Sequence, residues 1–520
     1  MKTTRTRFAP SPTGYIHVGN VRSALYPYLI ARQAKNSGDQ NARFVLRIED
    51  TDQSRFVESA EDLIIETLKW IGLDWDEGPL AVSEEAQKLY FAGESFVNKN
   101  GDKEAGAFGP YHQTSRTETY NSYAEKIVAA GFGYADLSDQ ADVQAFREKC
   151  QADKKPFTFR AFRELHPEIM GEWKPNCEKP LRFKVRDLKS YSWHDEVFGD
   201  LTAGAEVLDD FILMKSDGLP TYNFAHVVDD NEMQITHVIR GQEYISSMPK
   251  YLSLYDALGI KWPVFAHLPH ILKPDGKKKL GKRDGAKSVS EYREDGILPE
   301  AMVNFLALLG WNPGGGSEQE IFTLEDLTEQ FSLDHVQKSG ARFDEKRLIW
   351  LNGAWIRKIA EEDFAKLIEQ SENFWGKNAQ KSTPEFREKV LKIVAERLKT
   401  LRDLPALSEY FFAHPEPNWS LINENKQLKK LETSELENLL QKAHEKLSAL
   451  SDTDFANPEK IQQTLNDLLE ETGQKPGILF SLIRFSLTWA PFSPGLPETF
   501  ATLGKAESLA RIKAAIETEK

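Results

Sequence analysis

Arg7-Phe8-Ala9-Pro10-Ser11-Pro12-Thr13-Gly14-Tyr15-Ile16-His17-Val18-Gly19-Asn20 is the stretch whose reading decides the fold. Residues 4–9 suit a short strand, and residues 20–34 carry helical apolar spacing in Val21, Ala24, Leu25, Tyr28 and Leu29. The quoted stretch is the turn between them. Free backbone N–H groups and the helix dipole favour phosphate at such a junction. Two prolines and Gly14 fix the loop, Gly19 lets a ring approach the backbone, and His17 can donate to phosphate oxygens. A plain strand–helix turn would use Pro and Gly in the same way, so the motif needs support from elsewhere in the chain.

Outward from this turn, residues 42–48 read as a second strand and 58–71 as a second helix, a βαβ pattern that predicts a parallel sheet. Alternation breaks at about residue 74. Residues 80–108 are rich in Gly, Asn and Lys and predict an exposed loop or small excursion with no assignable chemistry. Residues 111–207 read as an insertion, with helical stretches at 120–130 and 141–150 and a strand-like 181–185. Strands at 211–214, 234–239 and 264–272 are expected to complete the interrupted sheet. After Ser288 the pattern is helical almost throughout, punctuated by Pro405, Pro415, Pro417, Pro458 and Pro476.

The chain has 520 residues, 40% hydrophobic and 28% charged, enough for several cores. Nothing after Met1 resembles a signal peptide, and no run is apolar enough to cross a bilayer. Cys150 and Cys177 are too few for a disulfide framework or a cysteine-rich zinc site. These features predict a cytoplasmic protein. The net charge of −14 bears on solubility, whereas anion binding depends on where cations are placed. They concentrate in the stretch from Lys273 to Lys287, KPDGKKKLGKRDGAK. Such a run is often only a solvated loop. Opposite a phosphate-binding turn, it suits a clamp on a triphosphate.

Together, these two constellations resemble the signatures of class I aminoacyl-tRNA synthetases: His17-Val18-Gly19-Asn20 for the first, and Lys279 to Arg283 for the second. More specific are Arg47-Ile48-Glu49-Asp50-Thr51-Asp52, Gly109-Pro110-Tyr111 with Gln113, Lys215-Ser216-Asp217-Gly218 with Pro220-Thr221-Tyr222, Val227-Val228-Asp229-Asp230, and Thr236-His237-Val238-Ile239-Arg240-Gly241. With residues 7–14, these resemble bacterial-type glutamyl-tRNA synthetases over most of the chain.

The resemblance implies an α/β plus all-α fold. A split Rossmann-type catalytic domain would occupy 1–75 and 208–290, with an acceptor-binding insertion at 76–207. A stem-contact region would follow at 291–350 and a helical anticodon-binding region at 351–520. The implied function is a glutamate–tRNA ligase acting through glutamyl-adenylate, with ATP and Mg²⁺, L-glutamate and tRNA(Glu) as partners, as a monomer. It implies catalytic roles for His17, Gly19, Lys279, Lys282 and Arg283, and ATP contacts from His17, Gly19, Glu243, Lys282 and Arg283. Arg7 and Arg240 would recognise substrate carboxylate, and Glu49, aided by Ser11 and Tyr222, the α-ammonium. Arg7 is the expected discriminator against glutamine. Asp52, Arg116 and Arg397 would touch tRNA.

Some positions depart from the pattern. Asn20 replaces the second histidine of the first signature, and Gly281 a common serine of the second. His226 occupies a variable pocket position, as a substrate contact or as a structural residue. Ala135 and Leu137 stand where several relatives begin a zinc site, so no zinc is expected. Trp350, Trp355 and Phe343 could stack on bases, but core is the better expectation. The rival reading is a catalytically degenerate paralogue that binds RNA or a protein partner. Retention of Arg7, Ser11, His17, Glu49, Arg240, Lys282 and Arg283 argues against it.

Overall fold

The computed structural model describes residues 3–57, 59–80, 95–99, 101–281 and 287–517. The chain forms two compact units, one of residues 1–290 with 302–344 and the other of 291–301 with 345–520.

In the first unit, β1 (Arg5–Phe8) and β2 (Arg43–Leu46) pair in parallel, with Arg7 opposite Val45. The crossover is α1 (Val18–Asn36), whose buried stripe includes Val21, Ala24, Leu25 and Leu29 at the expected spacing. α2 (Ala60–Trp70) follows, with Ile64 and Leu68 inward. Residues 95–99 and 101–108 are more regular than expected. Within the described residues, β3 (Gly78–Pro79), β4 (Ser95–Val97) and β5 (Lys103–Ala105) form a small antiparallel sheet. His112 anchors this sheet from behind. Its ring lies between Glu104 at 2.5 Å and Glu61 at 3.0 Å. Burial opposes the charge, but hydrogen bonds to the two carboxylates push the imidazole up to about 10.

A four-stranded antiparallel sheet joins β6 (Gly133–Asp136), β7 (Met170–Gly171) and β8 (Leu181–Phe183), within the span expected as an insertion, to β11 (Ile212–Met214) beyond it. The strand expected at 211–214 therefore does not complete the catalytic sheet: Ile212 sits opposite Arg182 on an antiparallel partner. Three apolar residues specify a strand without specifying its partner.

The second parallel pair is β12 (His237–Gly241) with β13 (Val264–Leu268). A hairpin of β9 (Tyr191–Asp195) and β10 (Gly199–Ala203) adds to its edge, where Phe265 pairs with Asp195. The entry to β12 meets β1: Thr236 N–H donates to Arg5 O at 2.9 Å, which brings both strand ends to one place.

The second unit is helical. Pro405, Pro458 and Pro476 stand in the first turns of their helices, where a missing N–H is harmless. Leu440, Leu465, Leu479, Ile483, Phe500 and Ile512 form its core. Trp355 here, like Phe343 in the first unit, is buried as expected, but Trp350 is 50% exposed. Among the described residues, no helix is long and apolar enough to cross a membrane.

Candidate active site

The carboxyl ends of β1, β2 and β12 open on a cavity of about 840 Å³. In parallel sheets this is where loops leave the strands and ligands bind. One end is built by the turn after β1. His17 caps α1: its Nδ1 accepts from Gly19 N–H at 3.1 Å, while Asn20 Oδ1 accepts from His17 N–H at 3.3 Å. This box gives Asn20 a local role in place of the family's histidine. An accepting Nδ1 places the proton on Nε2, which makes His17 a donor. A Cβ on Gly19 would lie 3.0 Å from His17 Cε1, so glycine leaves the ring its place.

The same end receives Glu243 and Lys279, paired at 2.9 Å. Burial opposes the charge of Glu243, but Lys279 holds its carboxyl below the usual range. Arg22, buried on α1, donates to the carbonyls of Leu309 and Pro269. Leu280 N–H donates to Ile271 O at 2.8 Å, which straps the start of the second signature beside the cavity. Lys282 and Arg283, expected to act on phosphate, lie outside the described residues.

Behind Arg7 and Glu49, which line the middle of the cavity, lies a network of buried charge. Arg7 donates to both oxygens of Asp230, at 3.1 and 3.3 Å, and to Ile239 O at 3.2 Å. Arg47 donates to Asp230 at 2.8 Å and Glu49 at 3.2 Å, with Asp229 at 3.8 Å. Asp230 is thus shared by two guanidinium groups. Burial opposes its charge, but Arg7 and Arg47 hold the carboxyl far below the carboxylate range. Glu49 behaves in the opposite way. Burial raises it to about 7 despite Arg47 and Arg7.

Arg240 is the other buried cation here, and Tyr222 and Tyr244 complete the wall around it. Ser11 stands at the mouth, where its carbonyl accepts from Thr13 N–H at 2.8 Å. The far end is polar. Asp52 there accepts from Ser54 and Arg55 at 2.7 Å each. Lys215 reaches Thr51 O at 3.0 Å and Asp217 at 2.9 Å.

The structure therefore brings together Arg7, Ser11, His17, Gly19, Glu49, Asp52, Tyr222, Arg240, Glu243 and Lys279 on one cavity. Arg116 stands apart from its lining. It is 4% exposed, with donors given to Asp229 at 2.7 Å and to the carbonyls of Phe108 and Pro110. Arg397 belongs to the helical unit, exposed on the single turn Ala395–Arg397. Arg484 lies close enough that its charge is disfavoured, by burial first and Arg397 second.

Sequence reasoning quoted Arg47, Asp229 and Asp230 without giving them roles, and it passed over His267 and Asp195. Adjacent acids inside the apolar helix Tyr222–Glu232 were the available signal, because buried carboxylates need cationic partners.

Comparison with known families gives a consistent picture. Residues 3–350 match the model of the class I tRNA synthetase catalytic domain (E and Q), and residues 363–516 that of the anticodon binding domain. The glutamate–tRNA ligase of Clostridium botulinum strain Hall is 38% identical, covering 99% of this chain and 98% of its own. That of Carboxydothermus hydrogenoformans is 39% identical, covering 98% of each. A crystal structure of a glutamate tRNA ligase from Elizabethkingia meningosepticum, in complex with its amino acid, superposes with a TM-score of 0.80 at 31% identity, covering 100% of both chains.

Proposed function

The chain belongs to the class I tRNA synthetases for glutamate and glutamine, as a glutamate–tRNA ligase, and we propose how its residues divide that work. In the reaction, an oxygen of the glutamate α-carboxylate attacks the α-phosphorus of ATP and pyrophosphate leaves. The 2′-hydroxyl of the terminal adenosine of tRNA then attacks the glutamyl carbonyl, and AMP leaves.

One observation carries the assignment: two guanidinium groups and a carboxylate, Arg7, Arg240 and Glu49, line the cavity whose other end is the capped turn of His17 and Gly19. An amino acid with two carboxylates and one ammonium matches that charge pattern. Arg240 and Arg7 receive carboxylate, while Glu49 accepts the ammonium with Ser11 and Tyr222 beside it. His17 Nε2–H and the first N–H groups of α1 face the triphosphate. Lys279 exchanges its contact with Glu243 for phosphate, joined by Lys282 and Arg283. Mg²⁺ would enter with the nucleotide, as part of the substrate, and offset phosphate charge. Positioning and charge stabilisation supply the catalysis, with no protein nucleophile. Glutamine fails because its NH₂ would face donors.

Asp52, at the polar end, is assigned to the tRNA terminus. Residues 76–207 are assigned to the acceptor end, 291–350 to the stem and 351–520 to the anticodon, where Arg397 reads a base edge. The proposed acceptor is tRNA(Glu), charged by a cytoplasmic monomer. The test is charging with radiolabelled glutamate on purified tRNA(Glu) and tRNA(Gln). Charging of tRNA(Glu) alone, with Arg397→Ala relaxing the choice, is expected. No charging of either at high enzyme concentration would refute the assignment.

A further inference from the structure

Arg240 is held differently from the other buried arginines around the amino-acid end. Arg7, Arg47 and Arg116 each donate to an aspartate. Arg240 donates through Nε to His267 Nε2 at 3.3 Å, through Nη1 to His226 Nε2 at 3.4 Å, and through Nη2 to Met248 Sδ at 3.0 Å. The rings of Tyr251 and Tyr244 lie 4.6 and 5.0 Å from its Cζ. Among the described residues, none of its hydrogen-bond partners is a carboxylate.

Both imidazoles are fixed as acceptors by what stands behind them. His226 Nδ1 lies 2.8 Å from the carbonyl oxygen of Tyr222, one turn earlier on the same helix. Only an N–H can satisfy that oxygen, so the Nε2 lone pair faces Arg240. Stacking on Tyr222, at 4.8 Å and 17°, holds the ring plane. His267 Nδ1 lies 2.6 Å from Asp195 Oδ2, which turns its Nε2 lone pair to Arg240 in the same way. Asp195 is oriented by the N–H groups of Val197 and Phe198 at 3.1 and 2.9 Å. Register completes the arrangement: Arg240 and His267 are direct partners across the parallel ladder of β12 and β13, and Asp195 closes the neighbouring strand. Burial keeps both rings uncharged, His226 lowered to about 3 and His267 also lowered. Neither ring lines the cavity, whereas Arg240 does.

We propose that His226 and His267, the latter set by Asp195, are positioning residues that aim the Arg240 guanidinium at substrate carboxylate while leaving its charge uncancelled. A carboxylate in either place would hold the fork as well but would neutralise it, and the site would then lose its electrostatic distinction between glutamate and glutamine. The inference rests on the assignment of Arg240 as a carboxylate-binding group.

The test uses the full-length enzyme in aminoacylation at saturating ATP and tRNA, reading KM for glutamate against kcat. His226→Gln and His226→Glu place a neutral or an anionic oxygen where Nε2 stands. The Gln variant is expected to stay within about fivefold of the parent KM, and the Glu variant to raise it at least about 100-fold with KM for ATP unchanged. That ratio is roughly the difference between a free and a cancelled charge in a buried site. Arg240→Gln is the control for the underlying assignment and should raise KM for glutamate at least about 100-fold. If it does and the two His226 variants behave alike, the positioning role is overturned while the role of Arg240 stands. If Arg240→Gln leaves KM unchanged, both fall. Should His226→Glu not fold by thermal melting, Asp195→Asn serves instead. By moving the His267 proton to Nε2 it should raise KM for glutamate about tenfold with kcat within about twofold. An unchanged KM overturns the proposal.

Discussion

Glu49 gives the most direct prediction, because its titration falls inside the working pH range. Burial carries the carboxyl from its ordinary 4.5 to about 7. A group titrating there is ionised in roughly one molecule in ten at pH 6 and nine in ten at pH 8. Only the ionised form accepts the substrate ammonium. Between pH 8 and pH 6, kcat/KM for glutamate should therefore fall about tenfold, equivalent to about 1.4 kcal/mol. kcat should move less, since bound ammonium keeps Glu49 ionised. Glu49→Gln should lower kcat/KM about 100-fold and flatten the profile, a loss of about 2.7 kcal/mol that suits a buried charge-assisted hydrogen bond. The assay is initial-rate charging at saturating ATP and tRNA, from pH 5.5 to 8.5. The stability of the free enzyme follows the same titration. A carboxyl raised on folding costs stability as pH climbs from 4.5 through 7, so Glu49→Gln should melt higher than the parent at pH 8 and not at pH 4.5. A flat wild-type profile, or an identical step in the glutamine variant, would refute the reasoning.

Other expectations are as specific. Gly19→Ala presses a methyl group against the His17 ring and should lower kcat for adenylate formation about 10- to 100-fold, read by ATP–pyrophosphate exchange with tRNA present. Arg116→Ala removes the nearest cation from the buried Asp229, which keeps Arg47 at 3.8 Å and donors from Gln113 and Tyr120, and should cost on the order of 1.5–3 kcal/mol in denaturant unfolding, with kcat/KM for tRNA changed less than about twofold; the reverse pattern would make Arg116 a tRNA contact. His112, raised above its ordinary 6.5 to about 10, contributes stability that is complete below pH 6.5 and lost as pH rises through 10. The stability difference between the parent and His112→Asn should accordingly be on the order of 2–4 kcal/mol at pH 6 and shrink toward zero near pH 10, measured by urea unfolding across that range.

The elements around the first signature were legible because their information is local. The stripe from Val21 to Leu29 writes its own helix, and Gly14 and Gly19 mark where the backbone must turn or be approached. Partnership between distant strands is not written locally. Ile212–Met214 looked like a strand of the catalytic sheet and pairs instead with Leu181–Phe183, while the Tyr191–Ala203 hairpin went unseen and joins β13. Among site residues, those in dense motifs could be singled out, whereas His267 and Asp195 could not. Each becomes informative only when β13 and the hairpin bring them to Arg240. Trp350 was misjudged for a related reason: helical spacing identifies a stripe, but its outer edge stays exposed.

The shared Asp230 has a consequence for what the cavity will hold. Around the amino-acid end, Arg7, Arg47 and Arg116 face Asp229, Asp230 and Glu49, so these six side chains sum to electroneutrality when all are ionised. Arg240 is the guanidinium left without an acid in contact, because the nearest buried acid, Asp195, stands behind the neutral His267 ring. Glutamate in its ordinary ionic form carries one net negative charge and adds it beside that guanidinium; glutamine, a zwitterion of no net charge, adds none. The choice is then made on the total charge of the guest as well as on the contact made by any one atom, and a substitution that altered the charge of Asp195 or of any of these seven side chains would change which guest the pocket favours.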